Sequence, residues 1–252
     1  MGQKPRLSQF EMRAGLWVPP STAHEYDIEF ESDELPAAWA ESFTASASAI
    51  DPYAGFSSGA PRRDVNTWRK SCYSIQAPGD NTGYSVSRAV TVPTNFLVWI
   101  RGSFGYRVDQ NLNNDGGIGL ELGETSGGQI DLNNRATIFL FESDTSTTAG
   151  LQAQYTDGGS TTILKQVAQG TGGSGHLYEY VAIHKVGSAY HFWAFTTTGQ
   201  AIWLGSGSPT ISPDRVGLTF TNNSTSSPGT TVCTVDFVRF VESATVLPGY
   251  GE

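Results

Sequence analysis

Cysteine is nearly absent from this chain: Cys72 and Cys233 stand alone among 252 residues. Two cysteines without CxxC or Cys/His spacing exclude a disulfide scaffold and a structural zinc site. They read as buried free thiols, with a bridge between them as the alternative. Charge is scarce, at 15% of residues, and positive charge is scarcer still. Fifteen Lys+Arg are scattered along the chain against 24 Asp+Glu, for a net charge of −9. A nucleic-acid surface needs clustered cations to neutralise phosphates, so no such partner is expected. Long apolar runs are missing as well. The longest notable one, Phe96-Leu-Val-Trp-Ile100, is strand-sized, and no membrane insertion is expected. No segment repeats at 3.6 residues with caps, and Glu34 to Ala40 holds one helical turn at most. The first ten residues lack an apolar h-region, so no export signal is expected. Synthesis in a host cytoplasm would leave the sequons Asn222-Asn-Ser224 and Asn223-Ser-Thr225 unmodified.

Aromatics and turn formers are plentiful instead: 12% aromatic residues, 29 Gly and 12 Pro. That is the composition of many strands joined by many turns. Tyr84, Val86, Arg88, Val90 and Val92 alternate with small or polar residues, as do Ile118, Leu120 and Leu122, and then Val216, Leu218 and Phe220. Period two marks a half-buried strand. Breaks rich in Gly, Asn and Asp separate these runs, among them Asn111-Leu-Asn-Asn-Asp-Gly-Gly117 and Thr156-Asp-Gly-Gly159. The pattern predicts an all-β fold, an antiparallel two-sheet β-sandwich or jelly roll over residues 25–244, with a C-terminal tail at 245–252. Residues 1–24 differ. They carry Lys4, Arg6, Phe10 and Arg13, then Leu16-Trp17 before Pro19-Pro20, with no period of either kind. A Pro-Pro pair fixes extended backbone, and a polar terminus frays unless something holds it. The segment is therefore expected to be an extended N-terminal arm that assembles the chain against a neighbouring subunit, with folding back onto its own domain as the alternative.

The order of strands in the C-terminal half is more specific. Tyr180 to Phe195 gives a strand, a tight Val-Gly-Ser turn and a returning aromatic strand; Thr196 to Trp203 follows as a second hairpin with Gly199 at its turn. Arg215-Val-Gly-Leu218 and the closing Thr234-Val-Asp-Phe-Val-Arg-Phe240 come next, and Asp27-Ile-Glu-Phe30 through Trp39 opens the region. Together these resemble the concanavalin A-like lectin/glucanase jelly roll over about residues 26–243. The resemblance implies that the first and last strands pair in one sheet. It also implies a carbohydrate-binding module, a glucanase, or a structural or decoration module of a bacteriophage virion.

Glu25-Tyr-Asp-Ile-Glu29 approximates the ExDxE strand of family-16 glucanases. On a strand Glu25, Asp27 and Glu29 would share a face, and a retaining glycosidase needs carboxyls about 5–5.5 Å apart. Yet Tyr26 stands where a small aliphatic residue is usual, and the acidic run continues to Glu31, Asp33 and Glu34 as a solvated edge does. No catalytic residue is expected. Asp109 to Asp115 starts like a calcium loop, but Leu120 occupies the position of the bidentate Glu and Asn114 that of the Gly, so a plain hairpin loop is expected. Gly170-Thr-Gly-Gly-Ser-Gly175 has no βαβ unit around it. His24, His176, His184 and His191 lack zinc spacing. No metal or cofactor is expected. Trp68, Trp99, Trp193 and Trp203 read as core, as most Trp in a jelly roll are, unless some line the concave face as a stacking platform for sugar rings. Trp193 and Phe195 alternate with Phe192 and Ala194, so one of the two sets must face outward or lie under a loop. Trp193, Trp203, His191, Tyr190 and Asp157 are the candidate glycan-binding residues. The expected role is a non-catalytic virion structural protein, in the capsid decoration, collar or tail, with other virion subunits and copies of itself as partners. A surface glycan is the alternative partner.

Overall fold

Alternating strands with one apolar face can remove it from water only by stacking two sheets. The computed structural model describes residues 24–29, 38–44, 73–77, 82–103, 116–143, 146–171, 178–196, 201–222 and 231–242. It contains β1 (Ile28–Glu29), β2 (Trp39–Thr44), β3 (Tyr73–Ala77), β4 (Thr82–Ala89), β5 (Asn95–Ser103), β6 (Gly116–Ser126) and β7 (Gln129–Ser143). β8 (Ser146–Asp157), β9 (Ser160–Thr171), β10 (Tyr178–Val186), β11 (Ala189–Thr196), β12 (Ala201–Gly207), β13 (Arg215–Asn222) and β14 (Thr231–Glu242) complete it. No helix occurs among the described residues. The arm, the C-terminal tail, Trp68, Cys72, His176 and the Asp109–Asp115 loop lie outside them.

The first sheet runs β1-β14-β5-β10-β11-β12, with β3 also paired to β14; the second runs β2-β4-β13-β6-β7-β8-β9. All pairings are antiparallel. First and last strands meet as the resemblance implied, with Ile28 opposite Val238. The opening segment does not form one strand: β1 joins the first sheet and β2 the second. Trp39 opens β2 with its side chain buried in the core.

The core lies between the sheets. Val86, Leu120, Leu122, Val216 and Leu218 of the second sheet meet Phe96, Val98, Ile100, Ile183 and Phe192 of the first, all fully buried. The period-two pattern thus gave the right inner face for β4, β6 and β13. Short loops hold the register. Gly158 and Gly159 take φ of 56° and 82° between β8 and β9, the twist that a two-residue hairpin needs and side-chain-bearing residues resist.

Candidate functional site

Because side chains alternate across a strand, every inner residue leaves its neighbours on the outer face. On the second sheet these outer neighbours form three rows. The central row crosses five strands as Ser87, Gly217, Glu121, Thr137 and Gln154. One flanking row holds Arg215, Gly123, Arg135 and Thr156; the other holds Thr219, Gly119, Phe139 and Gln152.

These polar residues are not solvated. Ser87, Glu121, Thr137, Gln154, Thr156, Arg215 and Thr219 are all buried. Most have partners, as buried polar groups must. Arg215 Nε donates to Ser87 Oγ at 3.1 Å, the Thr156 and Thr161 hydroxyls are 3.0 Å apart, and Gln152 Nε2 donates to Gln154 Oε1. Glu121, 1% exposed, forms an ion pair with Arg135. Burial holds its carboxyl above the usual carboxylate range, although the Arg135 guanidinium pulls the other way. Thr137 sits on the same strand face between Arg135 and Phe139, and the Arg135 guanidinium lies 6.0 Å from the Phe139 ring centre. Thr137 Oγ1 and Arg135 Nε have no hydrogen-bond partner among the described residues.

Glycine shapes one end of this face. A Cβ at Gly217 would stand 2.8 Å from Ile130 Cδ1 and from the Val86 carbonyl oxygen; one at Gly123 would stand 2.8 Å from Ile130 Cγ2. Ile130, 6% exposed, therefore lies directly on two bare backbone positions. A side chain at either would lift it.

The five candidate residues read from the sequence do not converge. Tyr190 is a correction. It points into the intersheet core, 0% exposed, with its hydroxyl donating to the Ile211 carbonyl, because it takes the inner phase of β11. Burial pushes its phenol pKa up from the usual tyrosine value. Asp157 lies at the end of β8 in the other sheet, where its carboxylate accepts from Thr210 N and Oγ1, each at 2.8 Å. Those bonds hold its pKa below the usual range and fasten residues 208–214 to the β8–β9 hairpin. Trp193, Trp203 and His191 do come together, on the outer face of the first sheet. Trp193 stands opposite Trp203 and Ala182, which in turn faces Trp99. His191 pairs with His184, their rings 5.9 Å apart, and burial lowers the His191 pKa. Both alternating sets of β11 are buried: Phe192 and Ala194 inward, Trp193 and Phe195 outward.

Glu25, Asp27 and Glu29 do not share a strand face either. Glu25 and Tyr26 form a turn closed by Asp27 N donating to the His24 carbonyl, and strand begins only at Ile28. The Asp27 carboxylate accepts from His24 N, Phe240 N and Arg239 Nη1 at 2.8, 2.8 and 3.0 Å. It staples the entry of the chain to the last strand.

The sequence reading missed Glu121, Arg135, Thr137 and Gln154. Glu121 was visible as the polar member of an alternating strand, but a single strand does not reveal its lateral neighbours. Arg135 and Thr137 alternate with Ala136 and Ile138, a signal of the same kind that only strand order could join to Glu121. Among the described residues no cluster of His, Cys, Asp and Glu has the arrangement of a metal site.

No protein-family model matches the chain, and no curated protein matches its sequence. Solved structures do. The GH43 BlXynB protein from Bacillus licheniformis superposes with a TM-score of 0.54 at 11% identity, over 89% of this chain; the chain spans only 40% of that protein's length. The CBM2 module of Lactobacillus casei BL23 phage J-1 evolved Dit gives 0.54 at 15% identity, over 85% of this chain and 93% of the module. The carbohydrate recognition domain of Emp47p gives 0.54 at 10% identity, over 88% and 98%. Identities this low speak for the fold alone. This chain has the two-sheet, lectin-like jelly-roll β-sandwich.

Proposed function

We propose that the chain is a non-catalytic component of a bacteriophage virion whose jelly roll binds glycan through the outer face of the second sheet. The observation that carries this reading is the pair Phe139 and Gln152, half-buried neighbours at the edge of the buried polar floor around Thr137. Phe139 offers an aromatic surface and the Gln152 amide polar atoms beside it. A sugar ring needs both: directional polar partners for its hydroxyls and an apolar plane for its C–H face. Hydrolysis needs more. Paired carboxyls must stand about 5–5.5 Å or about 6.5–9.5 Å apart, whereas Glu121 is the one carboxylate in these three rows and it is tied to Arg135. The virion setting is supported by the likeness to the phage Dit module, which extends over nearly the whole of that module. Neighbouring virion subunits and further copies of the chain are part of this reading.

A glycan array that includes bacterial surface polysaccharides tests the binding. Phe139→Ala and Gln152→Ala are expected to weaken it by about tenfold or more each, equivalent to about 1.4 kcal/mol. Trp203→Ala, on the other sheet, should leave it unchanged. A blank array overturns glycan binding, and loss with Trp203→Ala alone moves the site to the first sheet. Mass spectrometry of purified phage particles should detect the chain; its absence there overturns the virion setting.

A further inference from the structure

The outer face of the second sheet is not sealed evenly: along its rows, exposure rises toward the edge strand β9. One row runs Gly119, Phe139, Gln152 and Gln166, from buried through half-buried to exposed. The next runs Thr137, Gln154 and Ile163, at 0%, 9% and 54% exposed. The register shift between Ala153 and Gln154 turns Leu164 toward the core and leaves Ile163 and Gln166 on the outer face. An aromatic ring, two amides and an aliphatic side chain thus border one opening over β7, β8 and β9. Gly119 sets the pose of the ring. A Cβ there would stand 2.9 Å from Phe139 Cδ1 and 3.0 Å from its Cε1, so the ring leans across bare backbone that any other residue would fill. The Gln152 amide is fixed as well. Its Nε2 donates to Gln154 Oε1, which leaves Gln152 Oε1 as an acceptor without a partner among the described residues.

We propose that this opening takes a neutral glycan chain laid across β7, β8 and β9, with its first ring on Phe139 and its far end at Gln166 and Ile163. The inference rests on the glycan reading above and names the class of chain and its path. The length fits. Neighbouring strands lie about 4.8 Å apart, close to the width of one pyranose ring, so Phe139 to Gln166 covers roughly two such steps. The chemistry fits as well. An amide both donates and accepts, as a sugar hydroxyl does. An anionic sugar calls instead for a guanidinium or ammonium that is not already engaged. Both arginines of the outer rows are engaged, Arg135 with Glu121 and Arg215 with Ser87. Lys165, the cation of β9, stands opposite Ala153, whose side chain lies in the core, and so belongs to the other phase of the strand. The net charge of −9 adds a general repulsion of polyanions.

The test probes the full chain against a glucan, a galactan and a rhamnan, each as fragments of one to five rings, beside a polyuronate and a phosphate-bearing polysaccharide of matched lengths. Binding should be confined to the neutral fragments, strengthen by about tenfold or more from one ring to three, and then level off. Gln166→Ala, a change at an exposed position, should weaken the three-ring fragments several-fold and leave single rings unchanged. Gly119→Ala, which lifts Phe139, should weaken fragments of every length by about tenfold. Equal or stronger binding of the anionic fragments overturns the neutral class. Gln166→Ala binding three rings as well as the wild type does overturns the path across the strands. In both cases glycan binding itself stands. No binding to any fragment overturns glycan binding and this inference with it.

Discussion

The two sheets share one core and differ on their outer faces. Across the first runs Arg239, Trp99, Ala182, Trp193 and Trp203; across the second run Ser87, Gly217, Glu121, Thr137 and Gln154. Both rows contain buried residues. The physics of burying them is opposite. Each large apolar side chain removed from water on the first sheet contributes about 1.5–3 kcal/mol. On the second sheet, burial costs free energy unless every polar atom is paired. Ser87 and Gln154 find partners and Glu121 an ion pair, while Thr137 Oγ1 stays unmatched among the described residues. The first outer face therefore behaves as additional core, and the second as a buried polar layer held by its own pairings, with the half-buried Phe139 and Gln152 at its edge. Burial alone does not distinguish a core from a site; the chemistry of what is buried does.

The sharpest way to break this comparison is Trp99→Ala. If the outer face of the first sheet is core, the substitution should cost about 3–5 kcal/mol in denaturant unfolding. A loss below about 1 kcal/mol would make that face a surface. Next in size is Arg135→Ala, expected to cost about 3 kcal/mol near neutral pH because it strands the buried Glu121 carboxylate. The cost should shrink in acid, where the carboxyl takes up a proton and needs no cation. A cost that ignores pH would mean that water reaches Glu121.

The smallest effect sharpens the same point. Glu121 has a pKa raised above 4.5 in the folded chain, chiefly by burial. Its contribution to stability is therefore fully present below 4.5 and is lost as pH rises through the folded value. Unfolding curves of the wild type and Glu121→Gln, followed from acid to neutral pH, should show the wild type losing ground steadily. Parallel curves would remove the desolvated carboxylate from the account.

How far the sequence could be read depended on the range of each interaction. The alternation at Val86, Leu120, Leu122, Val216 and Leu218 is local, and those side chains lie where the pattern put them. The β10–β11 hairpin with Gly187 at φ 60° was legible for the same reason. Tyr190 was misread because β11 is buried on both faces, so its alternation could not say which phase pointed inward. Glu25, Asp27 and Glu29 looked like one strand face because spacing was the sole guide. Three hydrogen bonds to Asp27, two of them from β14, more than 200 residues away, keep the segment before Ile28 out of strand geometry.

By itself, then, the sequence determined the all-β class, the inner phase of its regular strands and the tight turns. These follow from side-chain period and glycine conformation, which act within a few residues. Only the tertiary structure decided that Glu121 meets Arg135 and Thr137 on one face, and that Trp193 meets Trp203 and Trp99 on another. Both groupings depend on the lateral order of strands, and the free energy that selects that order comes from burying whole faces at once rather than from any single strand.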